Sequence, residues 1–276
     1  MAEISAADVA KLRNITGAGM MDCKEALKNS NGNIEEAIEF LRKKGQKVAS
    51  KRVDREASEG CVLAGISTDA KRAVIVSLNC ETDFVAKNQD YIAFTKSILD
   101  LAIAQKAADA ETLKGLKLST ITVAEGIMEK VGTIGEKIEL SCYEQIAAEQ
   151  TFAYIHPGNK LATIVGFNKT VADSQVGKDV AMQIAAMSPI SIDKDDCPTD
   201  VINKEIEIGK EQARQEGKPE AMLEKIAMGK LQKFYNESTL LNQEFVKDNT
   251  MTIRQYLQKT DKDLTVTAFK RYTLNA

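Results

Sequence analysis

Tryptophan is absent from this chain, and one histidine, His156, serves all 276 residues. A lone histidine excludes a metal centre built on several imidazoles. The five cysteines, Cys23, Cys61, Cys80, Cys142 and Cys197, are odd in number and scattered. None has the CxxC spacing of a zinc or redox site, so they read as free thiols in a reducing cytoplasm. No stretch approaches the roughly 18 consecutive apolar residues of a membrane helix. The opening "MAEISAADVAKLRN" has neither the basic nor the apolar region of a signal peptide. Positive charge is not in surplus: 37 Lys and Arg face 40 Asp and Glu, a net −3. That argues against extensive direct nucleic-acid binding, which needs a concentrated basic surface. The phosphate loop GxxxxGK[ST], a GxGxxG after a strand, GxSxG and HExxH are all missing. No bound metal or cofactor is expected.

What remains is a globular composition, 43% hydrophobic and 28% charged, with only 5% aromatics. Its many Ala, Lys, Glu and Ile residues favour helix. The length suffices for two or three cores. Residues 1–45 read as three short helices. Ser5 and Asp8 resemble a capping box, "TGAG" (16–19) ends the first helix, and "MMDCKEALKN" forms the second. Asn33 caps the third, with Glu36 three residues on, and Gly45 is expected to stop it. Such a unit would resemble a ubiquitin-associated domain. The charged "QKVASKRVDREAS" (46–58) reads as a linker or a helical extension.

The chain then repeats an order of elements. "GCVLAGISTDAKRAVIVSLNC" (60–80) and "TFAYIHPGNKLATIVGFN" (151–168) each place two apolar runs around a polar turn, a β-hairpin signal. Helical stripes follow, through Tyr91, Phe94, Ile98 and Leu101 in one unit and Val176, Val180, Ile184 and Met187 in the other. Each unit closes on an alternating strand, "EKIELSCYEQ" (136–145) or "LTVTAFKRYTL" (264–274). Ile138, Leu140 and Cys142 are expected on one face of the first. The fold class is therefore α+β: residues 1–54 form a helical N-domain with its linker, 55–146 a first core subdomain and 147–276 a second. A charged insertion at about 199–235 interrupts the second subdomain. Gly217 and Pro219 suit a turn between two helices. Ile202 and Ile206 would face Leu223, Ile226, Ala227 and Phe234 across an antiparallel coiled coil.

Few residues could carry chemistry. Cys80, His156 and Asp83 can be assembled on paper as a nucleophilic set, but Cys80 ends an apolar strand where buried thiols are common. Met20 and Met21 are adjacent on a helix and point about 100° apart. At least one should pack into the core and one should be exposed, where a flexible thioether suits a protein surface. Arg13 and Lys24 would flank it. In "CETDFVAKN" (80–88), Asp83 could cap the following helix with Phe84 folded inward. Alternatively Thr82 caps, and Phe84 points outward as an anchor worth roughly 2–3 kcal/mol when buried in a partner.

Two stretches, "LRNITGAGMMDCKEAL" (12–27) and "CETDFVAKN" (80–88), resemble the signature stretches of the bacterial elongation factor Ts family. The order of elements is similar over essentially the whole chain. The resemblance implies a guanine-nucleotide exchange factor, without bond-making chemistry of its own, that binds the GDP form of elongation factor Tu and promotes GDP release. It implies that Arg13, Met20 and Met21 touch the partner's GTPase domain. It also implies that Thr82, Asp83, Phe84 and Val85 disturb the partner's magnesium and nucleotide site, and that His156 meets the partner's third domain. The sequence permits a homodimer without specifying one. A ubiquitin-like-protein adaptor and a ribosome-associated binding protein are the competing readings; the first would need only the N-terminal helices, and the negative charge argues against the second.

Overall fold

The structure is a computed structural model and describes residues 4–274. Helix α1 (Ala6–Thr16) begins on a reciprocal cap: the Asp8 amide donates to the Ser5 hydroxyl, and the Ser5 amide donates back to the Asp8 carboxylate. Gly17, in the left-handed region, ends it. Helices α2 (Met20–Asn29) and α3 (Ile34–Ser50) follow, the latter capped by Asn33, which accepts from the Glu35 and Glu36 amides. Leu12, Cys23, Ala26, Leu27 and Ala37 fill the core among the three.

Gly45 does not stop α3, contrary to the sequence expectation; the helix runs through it to Ser50. An interior glycine costs a helix about 1 kcal/mol relative to alanine, and here close packing accounts for it. A methyl group at Gly45 would lie 3.2 Å from the Met128 carbonyl oxygen and 3.3 Å from Gly132 Cα. Two helix backbones cross there at near contact.

The first sheet comprises β1 (Glu59–Ile66), β2 (Arg72–Cys80) and β3 (Ile138–Ala147), antiparallel in that order. Between β2 and β3 lie α4 (Asp83–Ala86), α5 (Gln89–Gln105), α6 (Ala110–Gly115) and α7 (Val123–Ile134). Val74, Val76 and Leu78 of β2 pack with Tyr91, Ile98 and Ala102 of α5 and Val131 of α7. The Tyr91 hydroxyl, buried with its ring, donates to the Leu78 carbonyl at 2.9 Å, so this large side chain leaves no polar atom unpaired.

A second hairpin, β4 (Gln150–Ile155) and β5 (Leu161–Phe167), is covered by α8 (Ser174–Met187). The chain then forms α9 (Thr199–Gln215), α10 (Glu220–Ser238), the short strands β6 (Glu244–Phe245) and β7 (Asp248–Thr252), α11 (Ile253–Thr260) and β8 (Val266–Thr273). Strand β8 pairs with β5 to complete the order β4-β5-β8. Phe152, Val165 and Phe167 meet Val180 and Ile184 beneath α8. The opposite faces of the two sheets meet through Val62, Ile75, Cys142, Ile146, Ala162 and Ile164. The architecture is α+β, with small antiparallel sheets back to back and helices outside.

Strict alternation in β3 fails at Ser141. Ser77 pairs with Cys142 and Leu78 with Leu140, leaving Ser141 as an extra residue. The bulge turns Cys142 to the inter-sheet core, while Ile138 and Leu140 stay under the helices. The expectation of one shared face is thereby corrected. The second sheet has the same defect: Gly166 pairs with Ala268 and Phe167 with Val266, leaving Thr267 over. Counting from Arg72 and from Leu161, both shifts fall between the sixth and seventh residues of the middle strand. The repeat seen as an order of elements thus extends to an irregularity.

Helices α9 and α10 form an antiparallel hairpin turning at Gly217, whose φ is +72°. Its seam is narrower than expected: Gly209 and Ala213 face Leu223, Ala227 and Leu231, all buried. Ile202, Ile206, Ile226 and Phe234 sit half-buried at its margin. A methyl at Gly209 would come within 3.2 Å of Ala227 Cα, so small residues let these helices approach closely. Among the described residues no helix is long and apolar enough to cross a membrane.

Candidate partner-binding site

Strand β2 ends at Cys80, and residues 81–82 lead the chain into α4. Neither Thr82 nor Asp83 caps that helix with its side chain, contrary to both sequence readings. The Thr82 hydroxyl donates instead to Glu136 at 2.7 Å. The Asp83 carboxylate pairs with Lys87 one turn on, at 2.6 Å. That hydrogen bond, aided by the charges of Lys87 and Lys160, holds the Asp83 carboxyl below the usual carboxylate range.

The next helix is pinned separately. Asn88 accepts from the amides of Asp90 and Tyr91 and caps α5. The single turn of α4 is thus held at both ends. Its inward side packs Ala86 and Val85 against the first core. Its outward side projects Phe84, which is 84% exposed. An aromatic ring held in water on a fixed turn is a poor contributor to folding and a good anchor.

The N-terminal candidates converge on one groove. Arg13, Met20, Met21 and Lys24 line a depression of about 580 Å³ together with Val9 and Asn14. Both methionines are exposed, at 62% and 77%. The expectation that one would enter the core fails because Cys23, Ala26 and Leu27 already occupy the inward face of α2.

His156 lies exposed in the β4–β5 turn, its Nδ1 3.1 Å from the Tyr154 hydroxyl. Asn159 and Gly158 take left-handed conformations there. The turn is fastened to the first sheet: the Val62 amide donates to the Asn159 carbonyl at 2.7 Å, and Lys160 pairs with Glu59 at 2.8 Å.

Cys80, His156 and Asp83 do not form a nucleophilic relay. The Cys80 thiol is buried and donates to the Thr82 carbonyl at 3.2 Å. Burial pushes its pKa up to about 11, the opposite of what an attacking thiolate requires. Asp83 is paired with Lys87 and His156 faces Tyr154. All five cysteines are buried free thiols.

Sequence reasoning missed the residues that hold the Phe84 turn, chiefly Glu136 and the side chain of Glu81. The only signal was a carboxylate at each strand end, in "CETD" and "GEKI", and nothing local pairs them.

Exposed apolar side chains on an anchored turn and on α2, carried by a double-sheet α+β body with a helical arm, form surface of the kind by which proteins meet other macromolecules. The family model for Elongation factor TS matches residues 81–276. Over 270 residues the chain is 52% identical to an elongation factor Ts of Porphyromonas gingivalis, spanning 98% of this chain and 97% of that one. Identity to an elongation factor Ts of Amoebophilus asiaticus is 53% over 275 residues, 99% of each chain. With the elongation factor Ts of Prosthecochloris aestuarii it is 43% over 288 residues, the whole of both. The chain therefore belongs to the elongation factor Ts family of translation elongation factors.

Proposed function

We propose that the chain binds the GDP form of elongation factor Tu in the cytoplasm and promotes GDP release, after which GTP enters the emptied site. The observation that carries this reading is Phe84, 84% exposed on a turn whose flanks are pinned. Phe84 acts as a wedge between partner elements, with Thr82, Asp83 and Val85 beside it, and loosens the magnesium and phosphate contacts. Arg13, Met20 and Met21 grip the same GTPase domain through the N-terminal groove. His156 contacts a more distant partner domain. On this reading residues 1–54, 55–146 and 147–276 work as three grips, the first a ubiquitin-associated-like unit, and the α9–α10 arm as a coiled coil.

The mechanism needs no bond-making chemistry and no cofactor in this chain. An exchange factor leaves the GDP/GTP equilibrium unchanged and stabilises the partner state in which nucleotide is weakly held. The coupling is reciprocal: nucleotide weakens the factor's binding as much as the factor weakens the nucleotide's. A thousand- to ten-thousand-fold faster release corresponds to roughly 4–5.5 kcal/mol of differential stabilisation. One buried Phe supplies roughly 2–3 kcal/mol at most, so several grips are required. The test is release of fluorescent GDP from purified elongation factor Tu. Addition of this protein should accelerate release in a saturable manner, and an unchanged rate would reject the reading.

A further inference from the structure

Two carboxylates hold the Phe84 turn, and the docking reading gives neither a role. Glu136, between α7 and β3, accepts from the Glu81 amide at 3.1 Å, the Thr82 amide at 3.0 Å and the Thr82 hydroxyl at 2.7 Å. Glu81 reaches the other way and accepts from the Lys137 amide at 2.6 Å. Each side chain therefore binds the backbone beside the other. Glu81 is well shielded, its side chain 13% exposed, and also accepts from Arg52 at 2.7 Å. The Lys137 ammonium donates to the carbonyls of Val53 and Arg55 at 3.1 and 2.9 Å. The segment descending from α3 is thus tied to the same knot.

We propose that Glu136 and Glu81 are positioning residues for nucleotide exchange, a reciprocal clamp that fixes α4 so that Phe84 enters the partner without an ordering cost. The proposal rests on the docking reading above. Helix α4 has four residues and no side-chain cap, too little to hold itself in water. If it moved freely, docking Phe84 would have to freeze it at the moment of binding. Charge-assisted bonds to backbone amides freeze it beforehand. Both clamp residues spend their carboxylates on the chain's own backbone and side chains, so they act through Phe84.

The test uses the full chain and elongation factor Tu loaded with fluorescent GDP. It compares Glu136→Ala, Glu136→Asp, Glu136→Gln, Phe84→Ala and the double variant Phe84→Ala with Glu136→Ala. The readouts are release rate at saturating protein, half-saturating concentration, thermal midpoint and amide hydrogen exchange of Glu81 and Thr82. Glu136→Ala should lower the saturated rate about tenfold, the population cost of ordering about one residue on docking. Its Glu81 and Thr82 amides should exchange faster while those of β1 and β2 keep their protection. Glu136→Asp keeps the charge but is too short to reach the turn, and should fall alike; it decides the matter should the alanine variant not fold. Glu136→Gln retains an acceptor oxygen and should keep most of the rate. With Phe84 already alanine, Glu136→Ala should add little, because no wedge remains to be positioned. Normal saturated release in Glu136→Ala or Glu136→Asp, with release lost in Phe84→Ala, would overturn the clamp and leave the docking reading standing. Unimpaired release in Phe84→Ala would overturn the docking reading itself. A lowered thermal midpoint with normal saturated release would reduce Glu136 to a structural role.

Discussion

At Phe84 the contest between packing inward and pointing outward is settled by its neighbours. Val85 and Ala86 fill the inward side of the turn, and a helical residue beside them has no core left to enter. Truncation should therefore cost little stability. For Phe84→Ala we expect a change within about 0.5 kcal/mol, as at an exposed site, whereas a buried Phe would lose about 3–5 kcal/mol. A denaturant melt separates these outcomes. The loss should appear in the saturated GDP-release rate; a strongly destabilised variant with normal release would sink the wedge. The thiols give a second expectation at this scale. Burial raises Cys61 and Cys80 to about 11 and Cys142 to about 12, from an ordinary 9.0. These groups keep their protons in the folded state when the unfolded chain would release them. Stability should hold below about pH 9 and fall as pH rises from there through about 11 to 12, by the linkage between bound protons and folding. Unfolding midpoints measured between pH 8 and 10.5 should show the decline, and Cys80→Ala should lessen it while Cys61 and Cys142 sustain the rest. Little of this was legible in the sequence. The anchor was visible as an alternative, but the exposure of both Met20 and Met21 depended on Cys23, Ala26 and Leu27 already filling the core side of α2.

Among the elements, the glycines of α3 and α7 set how the N-terminal helices sit on the first sheet's helical layer. A methyl at Gly132 would lie 2.7 Å from Gly45 Cα, a backbone atom that cannot rotate away. The Arg42–Glu129 pair, at 2.7 Å, flanks the crossing, and as a partly exposed pair it adds little. Gly132→Ala gains about 1 kcal/mol of helix propensity and loses about 1–3 kcal/mol to overpacking, so the crossing should open. Trypsin should then cut faster at Lys51, Arg52 and Arg55, while circular dichroism reports intact helices. Gly115→Ala, where nothing lies within 4 Å of the added methyl, is the control. Unchanged cleavage in Gly132→Ala would show that the crossing tolerates the extra group. At this scale the sequence was most informative. Caps at Ser5 and Asn33, two hairpins, the covering helices and the helical arm all carry local signals. The continuation of α3 past Gly45 did not, because it depends on Gly132, 87 positions away, rather than on C-terminal capping. The bulges at Ser141 and Thr267 were equally hidden: an extra residue inverts which face the following side chains take, but both faces of these sheets are covered, so an apolar residue is at home on either.

For the whole molecule, the proposed grips should leave different kinetic signatures. On the proposed reading the methionine groove meets the partner without being built into the clamped turn, so its contacts would serve the encounter complex and the distorted complex alike. Contacts of equal strength in both states change the concentration required and leave the plateau unchanged. Replacing Met20 and Met21 together by Ser should therefore raise the half-saturating concentration and spare the saturated release rate. If Phe84 is the proposed wedge it engages chiefly the distorted state, so Phe84→Ala should lower the plateau with less effect on the half-saturating concentration. The two sites sit on separate elements, the groove on α1 and α2 and the wedge on α4. The N-terminal helices meet the subdomain that carries the wedge through the Gly45–Gly132 crossing and the knot of Arg52, Glu81 and Lys137. Independent sites combine additively in free energy and multiplicatively in rate. The triple variant should show both defects at about their single-variant sizes. A full release titration of each protein against elongation factor Tu checks this. If the methionine variant lowered the plateau as Phe84→Ala does, the groove would itself distort the partner, and the division of labour between encounter and wedge would be wrong.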